Sequence, residues 1–128
     1  LGMAAILKAV QPVLGARDVA ATVQWYVERL GFTCRFDEGG APIRYAGISR
    51  DGVEPHLQWQ DDRYFPPPGD DAPSYRFLVD DPDALHAECT GRRGLSLTAT
   101  LRDAPWGTRE FGVYDPNGHG LHFYKPLS

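Results

Sequence analysis

The sequence predicts an α+β fold made of two tandem βαβββ modules, whose curled, antiparallel-rich sheets enclose a cavity with the helices on the outside. Three observations lead there. Two capped amphipathic helix signals recur at a fixed interval, since Asp81 follows Asp18 by 63 positions and Gly94 follows Gly31 by the same 63. The interval then widens to 66, at which Gly52-Val-Glu-Pro-His56 falls on Gly118-His-Gly-Leu-His122. Each half also follows its helix with segments that alternate in polarity at period two, such as Arg109–Tyr114 and Gly120–Tyr124.

The first helix opens on Asp18, whose carboxylate suits an N-cap, and ends at Gly31, which tolerates the left-handed conformation of a helix stop. Val19, Val23, Tyr26, Val27 and Leu30 form its apolar stripe, the spacing of a helix lying on a sheet. The second opens on Asp81 with Pro82 at its first position, carries Leu85 and Cys89 on one face, and runs to about Gly91. Module one then spans about 4–62 and module two about 74–126, within a single domain over 1–128. Between them the proline-rich, acidic stretch 63–73 reads as a stiff, strand-free linker.

Composition narrows the function. With 42% hydrophobic residues in 128, the chain can bury a real core. A formal net charge of −4 and a pI near 5.5 argue against a nucleic-acid partner, which would need a basic face. No apolar run is long enough to cross a membrane and no signal peptide opens the sequence, so the expected location is the cytoplasm. Cys34 and Cys89 match no metal or redox spacing and are expected to be reduced, buried thiols.

Five motifs, in order and spacing, carry a resemblance. Pro12-Val-Leu-Gly-Ala-Arg-Asp18, Trp25-Tyr26 with Arg29-Leu-Gly-Phe32, Arg50-Asp-Gly52, Pro105-Trp-Gly-Thr-Arg-Glu-Phe111 and Asp115-Pro-Asn-Gly118 resemble the glyoxalase, bleomycin-resistance and extradiol-dioxygenase (vicinal oxygen chelate) superfamily, closest to its bleomycin-resistance proteins. The resemblance covers about Val10 to Lys125. It implies the paired βαβββ fold, a homodimer, and a ligand crevice between modules. It also implies where enzymes of this group hold a divalent metal: here those positions carry Gln11, Ser74, His56 and His122. Two imidazoles with a glutamine and a serine make a poor ligand set. In the drug-binding members the tryptophan matching Trp106 and an aromatic matching Tyr45 stack on a planar ligand, with ordinary packing as the alternative for each.

Strand parity sorts the remaining walls. Glu54, His56 and Gln58 share one face of their strand, while Leu57 and Trp59 oppose them, which makes Trp59 a core residue unless a strand-end bulge turns it inward. By the same alternation Ser74, Arg76, Glu110, His122 and Tyr124 face the cavity, and Leu121 and Phe123 the core. His86 and His119 are expected to be exposed and inert, and no nucleophile has an activating partner. The expected function is metal-independent sequestration of a planar aromatic, antibiotic-like small molecule, without a cofactor, by Tyr45, Glu54, His56, Gln58, Arg76, Trp106, Glu110, His122 and Tyr124. The alternative is a metal-dependent glyoxalase-like lyase, isomerase or dioxygenase, with His56 and His122 as ligands and Glu54 or Glu110 as a further one.

Overall fold

The computed structural model describes residues 2–67 and 73–128, so the centre of the expected linker, 68–72, lies outside the described residues. Module one contains β1 (Val13–Ala16), α1 (Val19–Leu30), β2 (Thr33–Asp37), β3 (Tyr45–Ser49) and β4 (His56–Trp59). Module two repeats the order with β5 (Ser74–Leu78), α2 (Pro82–Ala87), β6 (Ala99–Asp103), β7 (Thr108–Tyr114) and β8 (Gly120–Pro126). The two four-stranded sheets have the orders β1-β4-β3-β2 and β5-β8-β7-β6. In each, the helix carries the chain from one edge strand to the other, and a meander brings it back beside the first strand. The first and last strands of a module are therefore parallel and the other pairs antiparallel. No described helix is long and apolar enough to cross a membrane.

The repeat extends to individual hydrogen bonds. Asp18 Oδ1 accepts from Ala21 N at 3.0 Å, and Asp81 Oδ1 accepts from Ala84 N at 3.0 Å. Gly31 and Gly94 both adopt positive φ, +72° and +66°, which a side chain would oppose. Beyond them Phe32 N donates to Tyr26 O, and Leu95 N donates to Cys89 O in the same way. Between its cap and this stop the second helix departs from expectation: α-helix gives way at Ala87 to one π turn over Glu88–Arg92. There Thr90 Oγ1 donates to His86 O at 2.6 Å, and Gly91 contributes no packing, so the last turn widens.

Each helix covers its own sheet: α1 packs on β2, β3 and β4, and α2 on β6, β7 and β8. Val19, Tyr26 and Leu30 are buried as the stripe requires, together with Thr22, while Val23 and Val27 are only half-buried. One continuous core joins the modules through Leu14, Ile48, Leu57, Phe111, Leu121 and Phe123.

Four side chains correct the sequence reading. Cys89 is buried but Cys34 is exposed, because β2 is an edge strand exposed along its whole length. Trp59 does share a face with buried Leu57, yet it is the last residue of β4 and stays 39% exposed, with the Arg44 guanidinium 4.3 Å above its ring. His119 is buried, and its Nε2 lies 2.8 Å from Gly15 O, bridging the modules from the β7–β8 turn. His86 is half-buried, edge-on to Phe111.

A second bridge is ionic. Arg50 of module one donates to both carboxylate oxygens of Glu88, at 3.0 and 2.8 Å, and Arg93 adds a third bond at 2.9 Å. The Arg50 hydrogen bonds, supported by Arg93, hold the Glu88 pKa at about 2, below its ordinary 4.5, despite partial burial. A depressed carboxylate stabilises the fold fully above its unfolded pKa and loses that contribution as pH falls toward the folded value. Glu88→Gln should therefore cost about 2 to 3 kcal/mol at neutral pH. In urea melts the gap from wild type should close between about pH 4.5 and pH 2; a gap independent of pH would remove the ion pair as its cause.

Candidate functional site

The faces turned away from the helices carry the nine candidate residues. On β4, Leu57 is fully buried beneath α1, so alternation turns His56 and Gln58 to the other side, where Tyr45 of β3 stands opposite Gln58. Tyr45 Oη lies 2.7 Å from His56 Nδ1, and His56 Nε2 lies 2.8 Å from Glu54 Oε2. A carboxylate can only accept, so Nε2 carries the proton and Nδ1 receives the Tyr45 hydroxyl. Arg35 pairs with the other Glu54 oxygen at 3.2 Å. Phe36 stacks on Tyr45 and meets His56 edge-on. Its seat exists because residue 47 is glycine: a Cβ there would fall 2.2 Å from the Phe36 ring.

The second face is built on Glu110, which is 4% exposed. Its Oε1 accepts from Trp106 Nε1 at 2.7 Å, from the Thr108 hydroxyl and from Arg76 Nη2 at 3.3 Å. Its Oε2 lies 3.7 Å from His122 Nδ1. Burial pushes the Glu110 carboxyl up, but the hydrogen bonds from Thr108, Trp106 and Arg76 outweigh it and hold the pKa below its ordinary value. The group is an ionised, buried anchor. Arg76 lies over Tyr124 at 4.3 Å, and Arg102 stands 5.2 Å from the centre of the Trp106 ring. Trp106 remains 60% exposed.

Register makes the two faces copies of one frame. His56 stands between Val13 and Gly47, and His122 between Arg76 and Gly112. Tyr45 opposite Gln58 becomes Glu110 opposite Tyr124. The structure thus brings Tyr45, Glu54, His56 and Gln58 together, and separately Arg76, Trp106, Glu110, His122 and Tyr124. Among the described residues no hydrogen bond or ion pair joins the two sets, and the histidines do not bond each other. Two clefts of about 450 and 320 Å³ lie elsewhere, the larger between modules under Phe32, Phe77 and Leu85, and none of the nine residues lines either. Sequence reasoning missed Phe36, Thr108 and Arg102. Thr108 was readable, two positions from Glu110 on the same strand face; Phe36 and Arg102 depend on cross-strand neighbours.

The donor set does not fit a metal. Both ring nitrogens of His56 face protein partners, and Glu110 Oε1 already receives three donors. Gln11 and Ser74 are exposed, and among the described residues no three His, Cys, Asp or Glu side chains gather as ligands.

Paired βαβββ modules with a tryptophan pinned at an open sheet face define a recognisable class. The family model of the Glyoxalase/Bleomycin resistance protein/Dioxygenase superfamily matches residues 8–123, and the chain belongs to that superfamily. A bleomycin resistance protein of Geobacillus stearothermophilus is 25% identical, with 91% of this chain and 95% of the relative covered. Among solved structures, the bleomycin-binding protein from bleomycin-producing Streptomyces verticillus, complexed with copper(II)-bleomycin, is 33% identical at a TM-score of 0.72. That match covers 94% of this chain and 97% of the other. TioX from Micromonospora sp. ML1 superposes with a TM-score of 0.74 at 25% identity, covering 93% of this chain and all of its own.

Trp106 is held by one hydrogen bond and is largely exposed, so Trp106→Ala should lower stability by less than about 1 kcal/mol, against about 3–5 for a core tryptophan. Chemical denaturation measures this directly, and a loss above 3 kcal/mol would make Trp106 a packing residue.

Proposed function

We propose that the chain is a metal-independent binding protein that sequesters a planar aromatic, antibiotic-like small molecule in the cytoplasm. The observation that carries the reading is Trp106, an exposed indole whose Nε1 is fixed to the buried carboxylate of Glu110. A free surface tryptophan would lose rotamer freedom on binding, whereas this one is held in place beforehand. Tyr45, stacked on Phe36 and tied to His56, offers a second oriented aromatic. Ring stacking adds about 0.5–1.5 kcal/mol per pair beyond burial. The names of the bleomycin-binding relatives support the same reading.

Each chain presents half of such a site twice over, on two different faces. Val13, Phe36, Leu78 and Tyr114 are 40–67% exposed on or beside these faces. A second copy that lays its first module against the other's second module covers this apolar surface and brings Tyr45 toward Trp106. The working form is thus a homodimer with two equivalent crevices.

Titration with bleomycin and other planar heteroaromatic compounds should quench tryptophan fluorescence. Trp106→Ala should weaken the tightest of them by about 1–3 kcal/mol; unchanged affinities throughout would refute the role of this residue. Light scattering at micromolar concentration should give about twice the 14.2 kDa chain mass, and a monomer at that concentration would leave the crevice unformed.

A further inference from the structure

The open face of module two is cationic in an otherwise acidic protein. Arg76, Arg102 and Glu110 are its charged side chains among the described residues, and Glu110 is buried with its Oε1 already receiving three donors. Arg76 spends one N–H on that oxygen and is stacked on Tyr124, while 42% of its side chain remains exposed. A guanidinium has five N–H donors, so most of this one's are free for a ligand. Arg102, opposite Glu110 in the β6–β7 pair, is exposed and lies over the Trp106 ring, with no hydrogen bond or ion pair among the described residues. On the face of module one Arg35 and Glu54 compensate each other.

The placement of these charges relative to Trp106 matters as much as their sign. Arg76 Nη2 and Trp106 Nε1 converge on the same Glu110 oxygen, and Arg102 stands 5.2 Å from the indole centre. Arg102 lies over one face of the indole and Arg76 meets Trp106 at the shared Glu110 oxygen, so a ring stacked on the open indole face has both guanidinium groups within a side chain's reach. A cationic substituent there would meet two like charges, with their counter-ion buried and already engaged. A carboxylate, phenolate or other oxyanion would instead accept charge-assisted hydrogen bonds from groups already oriented by stacking.

Resting on the binding reading above, we infer that the ligand is a planar aromatic bearing an acidic group, its ring on Trp106 and its oxyanion held by Arg76 and Arg102. The charge of the ligand is thus opposite to what a cation-binding crevice would select.

Calorimetric titration of the full-length protein with three probes of one ring system tests this: quinoline-2-carboxylate, quinoline-2-carboxamide and 2-(aminomethyl)quinoline. The carboxylate should bind at least about tenfold tighter than the amide, the scale of one charge-assisted hydrogen bond, and the protonated amine weakest. Arg102→Gln, at an exposed position, should shrink the carboxylate-to-amide affinity ratio several-fold, and Arg102→Glu should reverse the order. Raising salt should erode the carboxylate preference first. Equal affinity for all three probes, or an amine preference untouched by Arg102→Gln, overturns the anionic assignment and leaves the aromatic-binding reading standing. Failure of all three to bind overturns both.

Discussion

One buried carboxylate holds the two modules in register, and the placement of both faces depends on it. Asp115 begins the β7–β8 turn and is 4% exposed. Its Oδ2 accepts from the Tyr26 hydroxyl of α1 at 2.7 Å, while its Oδ1 accepts from the backbone of Asn117 and His119 at 2.8 and 3.0 Å. The ordered turn then reaches back into module one. Asn117 accepts from Arg17 N and donates to Thr22 Oγ1, and His119 meets Gly15 O. A carboxylate at this depth without its donors would cost several kcal/mol, so the turn and the first helix cannot part locally. Burial first, and the Asp115 charge second, push the Tyr26 phenol well above its usual pKa, which keeps it a donor.

With the helix-covered sides fused through this lock and the shared core, the opposite sheet faces are left uncovered. They share one backbone register and differ in chemistry. The histidines, their glycine neighbours and the strand register are common to both, as duplicated backbone requires. Around them, Tyr45, Gln58 and Val13 became Glu110, Tyr124 and Arg76. One face therefore ends in a phenol–imidazole–carboxylate chain with its charge balanced by Arg35, and the other in a stacked, partly uncompensated guanidinium pair. A crevice formed by one face of each kind would have two chemically distinct walls, which orients a ligand as well as holding it.

Helix caps, turn glycines and strand alternation are local matters, and they were legible. Asp18, Gly31, Asp81 and Gly94 act through bonds spanning at most a few residues, so their spacing revealed the duplicated module before any fold was known. Parity likewise assigned His56, Gln58, His122 and Tyr124 to the faces opposite Leu57, Leu121 and Phe123. It failed where a residue's surroundings come from elsewhere. Trp59 has the right parity but ends its strand and stays exposed under Arg44, and Cys34 sits on an edge strand whose exposure no alternation pattern announces. His119 looks like a turn residue and is buried by module one.

The sequence by itself determined the two-module α+β plan, the caps and stops of its helices, and which side chains share a strand face, because these follow from backbone periodicity and short-range hydrogen bonding. Tertiary structure alone decided that Glu110 is the buried hub joining Trp106, Thr108 and Arg76, that Tyr45, His56 and Glu54 form one hydrogen-bonded chain, and that the two groups lie on separate faces. Those facts depend on cross-strand neighbours and on how two modules meet, and residues 34 apart, such as Arg76 and Glu110, acquire a shared chemistry only when the sheet brings them together.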